Sequence, residues 1–218
     1  MRKINVLVND KSSYDSYIEF LKLNYDITVI KYSEYKNENI NLVLFTGGED
    51  VEPSFYGEDK GRFTRCNKSR DNLEFQMAAD FYNVPKLGIC RGAQFLTVHS
   101  GGRLIQHVEN HGVSHNIVFK YPVKGTYEIS STHHQMMYPF NLKEEDYRIC
   151  AYSEYFRSEL YYNGNNKNID LPKNFVEPEV VYYPKTKSFC IQGHPEFSSI
   201  SDDFKKLMLR IISTMLNV

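Results

Sequence analysis

Through the first half of this chain, short apolar runs alternate with stretches whose apolar positions recur every three or four residues. Ile4 to Val8, Ile27 to Ile30, Asn41 to Phe45 and Leu87 to Ile89 are brief and apolar enough to be buried strands. Between them, Ser13 to Leu23 gathers Tyr17, Ile18 and Leu21 on one helical face. Asp71-Asn-Leu-Glu74 has the spacing of a capping box, so a second helix is expected to open there with Leu73, Met77, Ala78 and Phe81 turned inward. Ala93 to His99 reads as a third helix, stopped by Ser100-Gly101-Gly102. Strands alternating with helices predict parallel units and a sheet covered on both faces.

After Gly102 the pattern changes. His115 to Lys120 and Thr126 to Ser130 have hairpin spacing, and Tyr147 to Ala151 reads as a further strand. Glu179 to Tyr183 and Ser188 to Gln192 flank Pro184-Lys-Thr-Lys187 as a second hairpin. The Asn-rich, polar stretch from Arg157 to Phe175 is expected to be a mobile excursion from the core. Ser201, with Asp202 and Asp203 in the first turn, opens a terminal helix whose stripe of Phe204, Leu207, Met208, Ile211, Ile212 and Met215 serves packing. The predicted fold is an α/β three-layer sandwich: a central, mostly parallel sheet flanked by helices, a small antiparallel region in the second half, and one domain over residues 1–218.

Composition narrows the setting. A chain of 218 residues with 41% hydrophobic content has enough apolar surface for a substantial core. A formal charge of −1 and no long basic block argue against nucleic acid as a partner. No apolar run approaches membrane length. Cys66, Cys90, Cys150 and Cys190 are scattered without a Cys-x-x-Cys pair, which fits reduced thiols and a cytoplasmic setting.

The chemistry concentrates at Gly88-Ile-Cys90-Arg-Gly92. A strand running into a helix through Gly-x-Cys-x-Gly is a nucleophile elbow with sulfur in place of a serine oxygen. The turn is too tight for a Cβ at either glycine, and it exposes the thiol at a helix N-terminus that favours the thiolate. A free thiol ionises near a pKa of about 8.5, so a base and a group to orient that base are needed. His194-Pro195-Glu196 offers both, with the proline biasing His194 toward extended backbone. Cys90, His194 and Glu196 are therefore the candidate catalytic residues.

Thr46-Gly47-Gly48 follows the third strand at its carboxyl end, where open α/β sheets carry ligand loops. Its backbone N–H groups, with that of Arg91, could form an oxyanion hole; by itself Gly-Gly is equally an ordinary strand-ending turn. The Arg91 side chain is expected to remain a surface charge. Gln94 lies one turn past Cys90 on the same side, suited either to substrate or to solvent.

Gly88-Ile-Cys-Arg-Gly-Ala-Gln94, followed far downstream by His194-Pro-Glu196, resembles the class I glutamine amidotransferase superfamily, whose triad is Cys, His, Glu in that order. Thr46 to Glu58 and Thr132-His-His-Gln135 look like segments of its γ-glutamyl-γ-aminobutyrate hydrolase branch, with Ser130 where that branch usually has Asn. The resemblance implies hydrolysis of a γ-glutamyl amide through a glutamyl thioester, with no cofactor. It implies an oxyanion hole from Gly48 and Arg91, and substrate contacts from Gly47, Gln94, His133 and Gln135. The leaving group would be an amine, or ammonia passed to a separate synthase; a homodimer is compatible with either. No Gly-x4-Gly-Lys-Ser/Thr loop for ATP is present. A catalytically silent binding subunit is the third reading, and the intact triad speaks against it.

His107, His111 and His115 recur every four residues, but Asn110 and Gly112 disfavour the helix that would align them. No cysteine or carboxylate partner stands at ligand spacing, so no metal site is assigned from the sequence.

Overall fold

The computed structural model describes residues 1–218. In chain order the elements are β1 (Arg2–Val8), α1 (Asp15–Lys22), β2 (Tyr25–Lys31), β3 (Leu42–Phe45), α2 (Lys68–Asp80), β4 (Lys86–Ile89), α3 (Arg91–His99), β5 (Arg103–Ile105), β6 (His107–Val108), β7 (His115–Phe119), β8 (Gly125–Ile129), β9 (Met136–Tyr138), β10 (Arg148–Ser153), β11 (Tyr161–Tyr162), β12 (Pro178–Tyr183), β13 (Ser188–Ile191) and α4 (Asp202–Leu216). One nine-stranded sheet runs in the order β2-β1-β3-β4-β13-β12-β10-β7-β8. The pairings from β2 through β13 are parallel, and those from β13 onward are antiparallel.

Residue alternation assigns each strand to two cores. Val6 and Val8 of β1, with Leu42 and Leu44 of β3, face a cluster completed by Ile18 and Leu21 of α1 and by Phe204, Met208 and Ile212 of α4. Leu7, Val43 and Phe45 point the other way, onto Met77 and Ala78 of α2 and Phe95 and Leu96 of α3. The period of two along a strand thus sorts neighbouring residues onto opposite helical layers. The three-layer α/β architecture and the antiparallel second half are as the sequence predicts.

Three local expectations need correction. Helix α2 begins at Lys68, not Asp71, because the Asn67 side chain caps it by accepting the Arg70 N–H at 3.2 Å. Asp71 and Glu74 are buried and serve the site instead. The 157–175 stretch is pinned down: β11 pairs with β6, and Phe175 packs with Ile105, Val108, Met136 and Tyr161 in a third small core.

Candidate active site

The parallel half of the sheet brings the predicted residues together at the carboxyl ends of its strands. β4 and β13 pair in register, Gly88 with Cys190 and Ile89 with Ile191. The Cys90 N–H donates to Ile191 O at 2.8 Å, and the His194 N–H to Ser130 O at 2.7 Å. The nucleophile and the base therefore leave adjacent strands at the same height.

The elbow is as tight as the glycines suggest. Cys90 sits at φ 55° and ψ −114°, outside the regions comfortable for an L-residue. A Cβ on Gly88 would strike the backbone of Gly92 and Ala93, and one on Gly92 would strike the Phe45 carbonyl. Cys90 nevertheless reaches a polar cleft of about 340 Å³, shared with His194, Gly47, Gly48, Gln94 and Gln135.

His194 is buried between its partners. Its Nδ1 lies 2.7 Å from Glu196 Oε1, and its Nε2 lies 2.9 Å from the Thr132 hydroxyl. Phe197 stacks on the ring at a centroid distance of 4.3 Å. Burial alone would push the imidazole down, but the nearby Cys90 sulfur and the Glu196 carboxylate outweigh it and raise the pKa to about 10.

The glycine loop has a division of labour that the sequence left open. The Gly47 N–H donates to the Tyr17 hydroxyl at 3.0 Å, whereas Gly48, at φ 141°, keeps its N–H out of the backbone ladder. The N–H of Arg91, in the first turn of α3, has no carbonyl four residues back within the helix. Gly48 and Arg91 are thus the pair with donors to spare.

The Arg91 side chain is no surface charge. It is buried, and its guanidinium forms ion pairs with Asp71 and Glu74. Arg70 also binds Glu74, at 2.9 Å, and donates to the carbonyls of Thr46 and Gly47 at 3.1 and 3.0 Å. This network clamps the elbow helix and the glycine loop to α2. The apparent capping-box spacing of Asp71 and Glu74 comes from residues one turn apart facing the same buried cation.

Gln94 turns inward, donating to Gln135 O at 3.1 Å. Gln135 donates to the Thr64 hydroxyl at 3.1 Å and is fully buried. His133 borders the cleft, yet its ring points beneath it, Nδ1 lying 2.8 Å from Gln135 O. Its neighbour His134 faces the mouth, 3.2 Å from Asp50.

Sequence reasoning missed Tyr17, Glu49, Asp50, Arg65 and Thr132 among the lining residues. Tyr17 is hidden by its place on an apolar helical face. Thr132 lies inside the Thr-His-His-Gln segment, but nothing local distinguishes it from its neighbours.

The peptidase C26 family profile matches residues 28–167, more than half of the chain. The chain belongs to the peptidase C26 family. This membership places it in the class I glutamine amidotransferase superfamily and among cysteine-type hydrolases. The peptidase C26 match ends before β12, so the positions of His194 and Glu196 are established by geometry alone.

A putative glutamine amidotransferase-like protein, YvdE, of Lactococcus lactis is 28% identical over 199 residues, covering 85% of this chain and 81% of that protein. A glutamine-hydrolysing GMP synthase subunit of Picrophilus torridus is 34% identical over 105 residues, 45% of this chain and 53% of that one. The crystal structure of a putative GMP synthase subunit from Thermoplasma acidophilum superposes with a TM-score of 0.65 at 15% identity, covering 100% of this chain and 96% of that one. That last likeness establishes the fold.

Proposed function

We propose that this peptidase C26 member hydrolyses the γ-glutamyl amide bond of a small, polar substrate. The single observation that carries the reading is that Cys90 and His194 line one open polar cleft while Glu196 holds His194 Nδ1 at 2.7 Å. Cys90 Sγ attacks the γ-carbonyl carbon and the electron pair moves to oxygen. Gly48 and Arg91 N–H groups receive that oxyanion. His194 delivers its proton to the leaving nitrogen as the C–N bond breaks, leaving a glutamyl thioester. Water, deprotonated by His194, then attacks the thioester; glutamate departs and the thiol is restored. Glu196 holds the imidazole tautomer throughout.

The lining supports an amino-acid headgroup. Glu49 and Asp50 offer negative charge for an ammonium, and Arg65 offers a guanidinium for a carboxylate. Only two of the fourteen lining residues are hydrophobic, which disfavours a bulky apolar substrate. Within the superfamily, the segments from Thr46 to Glu58 and from Thr132 to Gln135 favour a γ-glutamyl-amine hydrolase.

One observation favours a second reading. A relative over 105 residues is a GMP synthase subunit, so the chain could supply ammonia to a separate synthase. Purified protein assayed alone on glutamine and on a panel of γ-glutamyl amines separates the two. Turnover of the amines without any second protein supports the hydrolase. Glutamine turnover appearing only when a synthase is added would sink it in favour of the ammonia-supplying role.

A further inference from the structure

Beneath the cleft, on the antiparallel side of the sheet, three imidazoles converge on one carboxylate. His111 comes from the turn before β7, His115 from the first residue of β7, His133 from the segment bordering the cleft, and Glu179 from β12. All four are buried, His111 and Glu179 completely. Glu179 Oε1 lies 2.9 Å from His115 Nε2, 3.3 Å from His111 Nδ1 and 3.8 Å from His133 Nε2.

The hydrogen-bond partners fix how two of these rings are turned. His115 Nδ1 is 3.0 Å from Val113 O, and His133 Nδ1 is 2.8 Å from Gln135 O. A carbonyl oxygen only accepts, so each Nδ1 carries a hydrogen and each ring turns its Nε2 inward, toward Glu179. His115 Nε2 hydrogen-bonds Glu179 Oε1, while His133 Nε2, turned the same way, has no hydrogen-bond partner.

His111 stands between two carboxylates. Its two nitrogens lie 3.2 and 3.3 Å from Glu177 and Glu179, but neither is aligned for a hydrogen bond. Both nitrogens of His111, His133 Nε2 and Glu179 Oε2 are buried without a hydrogen-bond partner. Four such atoms in one spot of a core are costly. A proton on His115 Nε2 would satisfy one contact and leave those four atoms as they are.

A cation among these groups would give a partner to His133 Nε2 and to one nitrogen of His111. Nδ1–H anchored on a backbone carbonyl with Nε2 aimed inward is the orientation that metal-ligating histidines adopt. Ligand atoms of His111, His115 and Glu179 lie within 4.8 Å of one another. Four donors placed about 2.0–2.1 Å from a tetrahedral ion would be about 3.3 Å apart, close to the two shortest separations here. Glu177 stays outside the set, since it already accepts the N–H groups of Arg157 and Ser158 and the Tyr161 hydroxyl.

We propose that His111, His115 and Glu179, with His133 as the fourth donor, bind one divalent transition metal, zinc by the chemistry of the donor set. The site is closed to solvent, so the ion is structural rather than catalytic. It would tie β7 and β12 to the segment that carries Thr132, and so fix the floor of the cleft. The inference stands independently of the substrate.

The test uses Cys90→Ser protein stripped with a chelator, so that the reactive thiol cannot compete for metal. Cobalt(II) is titrated in as a spectroscopic probe, and zinc follows. The expected result is one equivalent of cobalt with tetrahedral ligand-field bands, no sulfur charge-transfer band, displacement by zinc, and a Tm that rises with free zinc. His115→Asn and Glu179→Gln should each lose the stoichiometric uptake. The proposal is overturned if the stripped protein, folded by circular dichroism, takes up neither metal at micromolar concentration. It is equally overturned if the cobalt bands survive unchanged in His115→Asn.

Discussion

Thr132 sets its hydroxyl oxygen 2.9 Å from His194 Nε2, on the side of the ring opposite the carboxylate of Glu196. The imidazole is thereby gripped at both nitrogens, and the hydroxyl stands where a proton leaves or enters the ring. Thr132→Val preserves shape and removes one hydrogen bond to a charged group, an interaction of about 1.5–3 kcal/mol. The expected result is a drop in kcat/KM of roughly tenfold or more. The pH profile of iodoacetamide labelling at Cys90 should move to higher pH; an unmoved profile would show that the hydroxyl does not support the imidazolium.

Glu196→Gln keeps the contact with Nδ1 and removes the charge. Loss of the orienting carboxylate in a triad lowers turnover by about 10²–10⁴-fold. Stability should respond with a defined sign. His194 has a folded pKa of about 10, above the ordinary histidine value of 6.5. Its contribution is therefore complete below about pH 6.5 and is lost as the pH climbs through about 10. Urea unfolding of wild type and Glu196→Gln should differ most near pH 6 and converge toward pH 10. A gap that widens with pH would contradict the imidazolium assignment.

Arg91 neutralises two carboxylates that water cannot reach. Arg91→Met leaves Asp71 and Glu74 without that cation, and breaking such a buried arrangement from one side costs about 3–5 kcal/mol. The midpoint of urea denaturation should fall accordingly. A midpoint within experimental error of wild type would mean that the network contributes little.

Arg70 holds the carbonyls of Thr46 and Gly47. Arg70→Lys keeps the charge and loses the planar guanidinium that holds both oxygens through Nη2 while Nε holds Glu74. We expect kcat to fall about tenfold with KM nearly unchanged, since the loop receives charge only as the oxyanion forms. A rise in KM at constant kcat would reassign Arg70 to ground-state binding.

Much of the fold was readable because its signals are local. The brief apolar runs became β1, β3 and β4, and the stripe from Phe204 to Met215 became α4. The elbow was readable because only glycine tolerates the close approach of Phe45 O to residue 92. What escaped depends on pairing across the chain. Asp71 and Glu74 look like a helix cap until Arg91 is seen between them. His111 and His115 look unpartnered until Glu179, far along the chain, arrives from another strand. The strands β5, β6, β9 and β11 are two or three residues long, too short to carry a period.

The hydrogen bond from the Cys90 amide to the Ile191 carbonyl has a bearing on biosynthesis. The strand that supports the elbow, and the imidazole and carboxylate just beyond it, are synthesised long after the sulfur. While the polypeptide is still being extended, neither His194 nor Glu196 yet exists beside that sulfur. On the proposed mechanism the sulfur meets its base only once β13 lies beside β4, which would keep a half-made chain from acting on anything.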